Sequence, residues 1–152
     1  MTQATPCAPR VLFICTGNIC RSPTAHALLV HKARVARFAI EVDSAAIESH
    51  TRGWPADERA VGQARRRGVA MPARGARPVG ARDFEHYDHV IGMTRGHCED
   101  LCALAPAHAA KVRMLLDMDV PDPWYGSEAD FSQAFEMIER GVDELLQSLS
   151  KP

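Results

Sequence analysis

The stretch Val-Leu-Phe-Ile-Cys-Thr-Gly-Asn-Ile-Cys-Arg-Ser-Pro, residues 11–23, constrains the fold more than any other part of the chain. It opens with an apolar run rich in β-formers, and Thr-Gly-Asn follows at once, which predicts a short buried strand ending in a turn. Ser22 and Pro23 then suit the N-cap and first position of a helix running to about residue 34. The loop between these elements begins at Cys15 and closes at Arg21.

The rest of the chain repeats the alternation. Residues 38–45 predict a second strand, and residues 57–68 a helix with Asp57 at its start and Gly68 at its end. A Gly-, Pro- and Arg-rich connection over 69–82 leads to a third strand at 89–93, a helix at about 95–104 and a fourth strand at 111–116. Phe131, Ala134, Phe135, Ile138, Val142, Leu145, Leu146 and Leu149 recur at helical spacing, with Asp130 as the expected cap and Gly141 a minor weakness. The expectation is an α/β fold: a four-stranded parallel sheet with helices on both faces, a flavodoxin-like three-layer sandwich in a single domain. The 152 residues, 46% of them hydrophobic, are enough for one core. Residues 1–10 are expected to be a flexible tail ahead of a domain over 11–150. Ligands of such sheets bind beyond the carboxyl ends of the strands, the edge to which both Cys15 and Val-Pro-Asp-Pro-Trp-Tyr-Gly (120–126) belong.

Composition excludes several functions. With 18 basic and 19 acidic side chains the chain has no global field to attract nucleic acid. No signal-peptide core opens it, and no stretch nears the roughly 18 apolar residues of a membrane span. The expectation is a cytoplasmic protein without membrane insertion. Five cysteines (Cys7, Cys15, Cys20, Cys98 and Cys102) are an odd set, better read as thiols than as a disulfide framework. His97, Cys98, Cys102 and His108 are too irregularly spaced for zinc, so neither metal nor cofactor is expected.

Between a strand end and a helix start, successive backbone N–H groups can turn inward while the helix dipole adds positive charge, which makes an anion cradle of Cys15, Thr16, Gly17, Asn18, Ile19, Cys20, Arg21 and Ser22. Gly17 and Asn18 tolerate the backbone angles of such a wrap. Arg21 can fork onto two bound oxygens. Amides, dipole and guanidinium all favour a thiolate at Cys15, and Ser22 can donate its hydroxyl proton to that sulfur while its lone pairs cap the helix. The loop lacks the lysine of the GxxxxGK[ST] nucleotide motif. In-line attack of sulfur on a cradled phosphorus gives a phosphocysteine. Expelling a phenolate from it requires a proton donor, and Asp122 is placed to serve, with Trp124 and Tyr125 expected to shield it from water.

With Cys-Thr-Gly-Asn-Ile-Cys-Arg-Ser-Pro at 15–23, Asp-Ser-Ala-Ala at 43–46, Asp-Glu-Arg-Ala-Val at 57–61 and Asp-Pro-Trp-Tyr-Gly at 122–126 before Asp-Phe-Ser-Gln-Ala-Phe-Glu-Met-Ile-Glu, the chain resembles the low-molecular-weight protein tyrosine phosphatases. The resemblance implies a nucleophile at Cys15, a phosphate-binding arginine at Arg21 and a general acid at Asp122. Asn18, Ser22 and Ser44 then support the loop, and His50 with Trp54 stands at the pocket rim alongside Trp124 and Tyr125. It also implies a tyrosine-phosphorylated protein as partner, a monomer or weak dimer, and a reversible Cys15–Cys20 disulfide under oxidation. Two positions depart from the family pattern: Thr94 stands where an Asp is usual and His97 where an Asn is usual.

Three rivals stay open. Thioredoxin-coupled arsenate reductases share Cys-Thr-Gly-Asn but pass oxidation to a later cysteine pair, here Cys98 and Cys102 at helical spacing. Protein-arginine phosphatases tend to carry Thr at the Ile19 position. A phosphate-binding module without turnover is the third. Arg65, Arg66, Arg67, Arg74, Arg77 and Arg82 offer a basic flank for acidic phosphopeptides.

Overall fold

The computed structural model describes residues 7–151. Four parallel strands lie in the order β2-β1-β3-β4, with β1 at Arg10–Cys15, β2 at Glu41–Ala46, β3 at His89–Gly92 and β4 at Val112–Met114. Val11, Leu12, Phe13 and Ile14 are all fully buried, because β1 is central and both of its faces are covered. Phe13 and Val11 face a cluster built from helices α1 (Arg21–Val35), α2 (Glu58–Arg66) and α5 (Glu128–Ser150). Leu12 and Ile14 face Phe84 and Leu101 on helices α3 (Ala81–His86) and α4 (Arg95–Leu104). The expected three layers are therefore present.

Several boundaries differ for local reasons. β2 starts at Glu41 rather than 38 because the preceding residues close α1: Arg37 adopts φ 56° and Phe38 N–H donates to Ala33 O at 2.8 Å. α5 is capped by Ser127, not Asp130; the Asp130 carboxylate instead accepts the Ser127 N–H at 2.8 Å. The six-residue α3 was hidden in what reads as a connection, and it forms around the Asp83 carboxylate, which accepts the Gly80 N–H at 2.8 Å. β1 takes in Arg10, which binds Asp88 through both backbone and side chain, so the strand begins inside the expected tail, most of which lies outside the described residues. Gly141 does more than weaken a helix: a Cβ there would stand 2.5 Å from Leu115 Cγ, so its bareness lets α5 lie close to the sheet edge.

Candidate active site

The loop after β1 wraps from Cys15 to Arg21, which is already the first residue of α1; Ser22 lies inside the helix and does not cap it. Freed from capping, the Ser22 hydroxyl lies 3.0 Å from Cys15 Sγ, and its backbone N–H points to the same sulfur at 3.4 Å. Asn18 Nδ2, which can only donate, gives a hydrogen bond to Ser22 Oγ at 2.8 Å. With Asn18 donating to it, the Ser22 hydroxyl is free to turn its own proton toward the sulfur. Both residues are buried.

Asn18 alone in the loop takes the left-handed conformation, at φ 56°. Gly17 does not; it is small because Thr51 crowds it, with Thr51 Cγ2 3.3 Å from where a Cβ would be and Thr51 Oγ1 donating to Gly17 O at 2.7 Å. Asn18 Nδ2 also donates to Ser44 Oγ at 3.0 Å, which brings Ser44 against the loop. His26 Nδ1 lies 3.2 Å from the same hydroxyl, and burial pushes the His26 ring down to about 4. Asp43 binds Arg74 and Arg77, and Arg74 also donates to Ser44 O. Sequence reasoning missed this support: His26 and Arg74 carry no motif, Asp43 stands in the Asp-Ser-Ala-Ala stretch with no role read for it, and Arg74 reads as part of a basic flank until the fold brings it against Asp43 and Ser44. The expected basic flank is correspondingly reduced. Arg77 is bound to Asp43 and Asp83, Arg66 to Glu128 and Arg67 to Ser132; among the described residues only Arg65 and Arg82 of that set lack a hydrogen-bond or ion-pair partner.

Arg21 is buried, its Nη1 donating to Val120 O at 2.9 Å and its Nη2 to Thr16 Oγ1 at 3.4 Å. Nη2 also lies 3.6 Å from Asp122 Oδ2. Asp122 caps a single 3-10 turn, Pro123–Tyr125, by accepting the Trp124 N–H at 3.1 Å. The expected shielding by Trp124 and Tyr125 is not found: the Asp122 side chain is 41% exposed and Tyr125 is 89% exposed. The two rings pack edge-to-face on each other, at 5.2 Å, instead of on the carboxylate.

A cleft of about 470 Å³ joins Cys15, Arg21 and Asp122 to a rim of Glu48, His50, Trp54, Trp124 and Tyr125, and Ile19 and Cys20 also line it. His50 packs edge-on to Trp54 at 6.2 Å and bonds Glu48 at 3.0 Å. Burial and Asp57 raise the Cys20 thiol, which stays protonated.

The departures from pattern at 94 and 97 also find their places. Thr94 caps α4, its hydroxyl accepting the His97 N–H at 3.1 Å, and His97 Nε2 reaches Thr16 Oγ1 at 3.0 Å. His108 stacks on Phe84 instead, and among the described residues no group of three or more His, Cys, Asp or Glu is placed to hold a metal ion.

A flavodoxin-like sheet whose first strand ends in a buried thiol, wrapped by a loop that closes on a buried arginine, defines a cysteine-dependent phosphoryl-transfer enzyme. The family model for low molecular weight phosphotyrosine protein phosphatases matches residues 10–152, and the chain belongs to that family. A low molecular weight protein-tyrosine-phosphatase of Streptomyces coelicolor is 37% identical over 92% of this chain and 93% of its own. A low molecular weight phosphotyrosine phosphatase of Vibrio cholerae superposes with TM-score 0.89 at 31% identity, covering 95% of this chain and 98% of that one. The YwlE arginine phosphatase, in a mutant with a phosphorylated active-site serine, superposes at 0.88 with 27% identity, covering 93% and 96%.

Proposed function

We propose that this enzyme hydrolyses phosphotyrosine in protein substrates through a phosphocysteine on Cys15. The phosphate enters the cradle of residues 15–22, where backbone amides and the Arg21 guanidinium bind its oxygens, and Asp122 is released from its contact with Arg21. The Cys15 thiolate attacks phosphorus in line; the S–P bond forms as the P–O bond to the aryl group breaks. Asp122 delivers its proton to the departing phenolate oxygen. A water then attacks the phosphocysteine, giving its proton to the Asp122 carboxylate, and the S–P electrons return to sulfur under the Ser22 hydroxyl.

The observation that carries this reading is the convergence on one cleft of three groups: a sulfur held by the Ser22 O–H and N–H, a guanidinium anchored on Val120 O, and an exposed carboxylate within 3.6 Å of that guanidinium. Ile19 in the cleft and the aromatic rim of Trp54, Trp124 and Tyr125 suit an aryl ring better than an alkyl guanidinium. Likeness to the arginine phosphatase is the observation that keeps phosphoarginine as the second reading. The arsenate reductase reading has less support: Cys98 lies on α4 against Gly92, and burial raises its thiol.

The test is turnover of an aryl phosphate and of a phosphoarginine peptide by wild type, Cys15→Ser and Asp122→Ala. Aryl hydrolysis abolished in the first variant and slowed in the second supports the proposal; faster hydrolysis of phosphoarginine by wild type overturns it. Activity lost on mild oxidation and restored by dithiol would support the Cys15–Cys20 disulfide. A cytoplasmic setting and a monomer or weak dimer complete the proposal. Among the described residues no helix is long and apolar enough to cross a membrane.

A further inference from the structure

His97 is buried at 6% exposure, and its ring makes a hydrogen bond to the phosphate loop. Nε2 lies 3.0 Å from Thr16 Oγ1, while Nδ1 is buried with no hydrogen-bond partner among the described residues. An orphaned N–H is rarer and costlier in proteins than an orphaned acceptor, so the ring proton sits on Nε2 and is donated to Thr16. Thr16 Oγ1 also receives Arg21 Nη2 at 3.4 Å. One hydroxyl thus accepts from both the imidazole and the guanidinium, and its own proton is left for an oxygen of bound phosphate.

Resting on the phosphatase reading above, we infer that His97 is a positioning residue: through Thr16 it holds one edge of the Arg21 guanidinium in register and aims the Thr16 hydroxyl at the phosphoryl group. Two features of the chain place it there. Thr94 caps α4 on the His97 N–H, and the absence of a side chain at Gly92 admits the first turn of α4, since a Cβ there would lie 3.0 Å from His97 Cβ and 2.9 Å from Cys98 Sγ. Among the described residues, Val120 O is the only other neutral group that accepts from Arg21. The device needs a neutral ring, and burial, with Arg21 adding to it, pushes His97 down to about 4 against the opposing pull of Asp100, Asp119 and Asp122.

The test is a double-mutant cycle on p-nitrophenyl phosphate hydrolysis and, in parallel, on inorganic phosphate binding by calorimetry, using His97→Leu, His97→Gln, Thr16→Val and their combinations. His97→Leu should lower kcat/KM roughly fivefold, mostly through kcat, the loss of about one hydrogen bond. His97→Gln, which can place an amide N–H near Nε2, should recover to within about twofold of wild type. In the Thr16→Val background neither His97 variant should cost anything further. Losses that multiply in the double variant, or a Gln variant as impaired as Leu, overturn the inference. Should His97→Leu fail to fold, the His97→Gln cycle with Thr16→Val is complemented by Thr16→Ser: Ser active near wild type and Val impaired supports the link, and equal impairment refutes it. If wild type shows no turnover, the phosphatase reading fails by itself, and the same cycle is read in phosphate affinity.

Discussion

Lowering the pH from 7 to 5 should destabilise this protein steeply, and two histidines set most of the magnitude, with His89, also lowered by burial, adding in the same direction. His26 and His97 are both buried and both pushed by that burial from the ordinary 6.5 down to about 4. A ring whose folded value is depressed stays neutral in the native state while the unfolded chain takes up a proton, so stability present above 6.5 is lost as pH falls toward 4. Evaluated at pH 5 against pH 7, each ring costs about 2 kcal/mol, and the two together about 4 kcal/mol. That is a large part of the 5–15 kcal/mol typical of a domain. The carboxylates lowered in the fold, Asp43, Asp57 and Asp88, are held below 3.8 and do not contribute until more acid conditions. The assay is urea unfolding at pH 7, 6 and 5 for wild type and for His26→Gln with His97→Gln. Wild type should lose about 4 kcal/mol across the range and the double variant less than half of that. A flat wild-type profile, or an undiminished fall in the double variant, would refute the burial argument.

Other perturbations separate the parts of the site. Asn18→Ala should cost about 2–4 kcal/mol of stability, from lost hydrogen bonds to two buried hydroxyls and a non-glycine left-handed residue without its polar side chain, as urea unfolding will show. Asp122→Asn should slow hydrolysis of phenyl phosphate by about 10²–10⁴ but that of an ester with a far more acidic phenol much less, so a rate plot against leaving-group acidity should steepen. Gly141→Ala, which helix propensity alone would favour by about 1 kcal/mol, should instead destabilise by about 1–3 kcal/mol, because its Cβ would meet Leu115 on Cγ and both methyls. Thermal melts decide the sign.

How far the sequence could be read followed from whether a feature is local. The β1 strand, the loop and α1 are specified within residues 11–35 by apolar run, turn residues and proline, and they were legible. So was α5, whose apolar stripe runs nearly its whole length. Asp130 was misassigned because a capping box presents two candidate residues, and only geometry shows Ser127 at the cap. α3 was illegible because its six residues hold too little periodicity, and its start depends on one carboxylate turning back on Gly80. The support beneath the loop was also hidden. Arg74 and Asp43 stand 31 positions apart, and Thr16 and His97 stand 81 apart, so no local signal ties them.

The sheet order explains why Thr16 and His97 meet at all. In the order β2-β1-β3-β4 the chain leaves β1 toward β2 on one side and later enters β3 on the other, so the connections after β1 and β3 diverge to opposite faces. α1, which follows the Cys15 loop, packs in the cluster with Phe13, while α4, which follows β3, packs with Leu12 and Ile14. The crevice opened by that divergence lies at the carboxyl end of β1, where Ile14 and Gly92 are paired neighbours. Any residue in the first turn of α4 is then a few ångströms from the start of the phosphate loop, provided β3 ends in a residue small enough to admit it. Gly92 meets that condition and Thr94 fixes the turn, so the third residue of α4 is carried to Thr16 by topology. The loop is thus braced from both sides of the sheet: Ser44, His26 and Arg74 hold Asn18 from the β2 side, and His97 holds Thr16 from the β3 side. Arg21 lies between the two braces and makes its shortest hydrogen bond to Val120 O, beyond β4. A guanidinium fixed in this way before phosphate arrives needs little reorganisation in the transition state, which is the physical basis for expecting loss of either brace to appear in kcat.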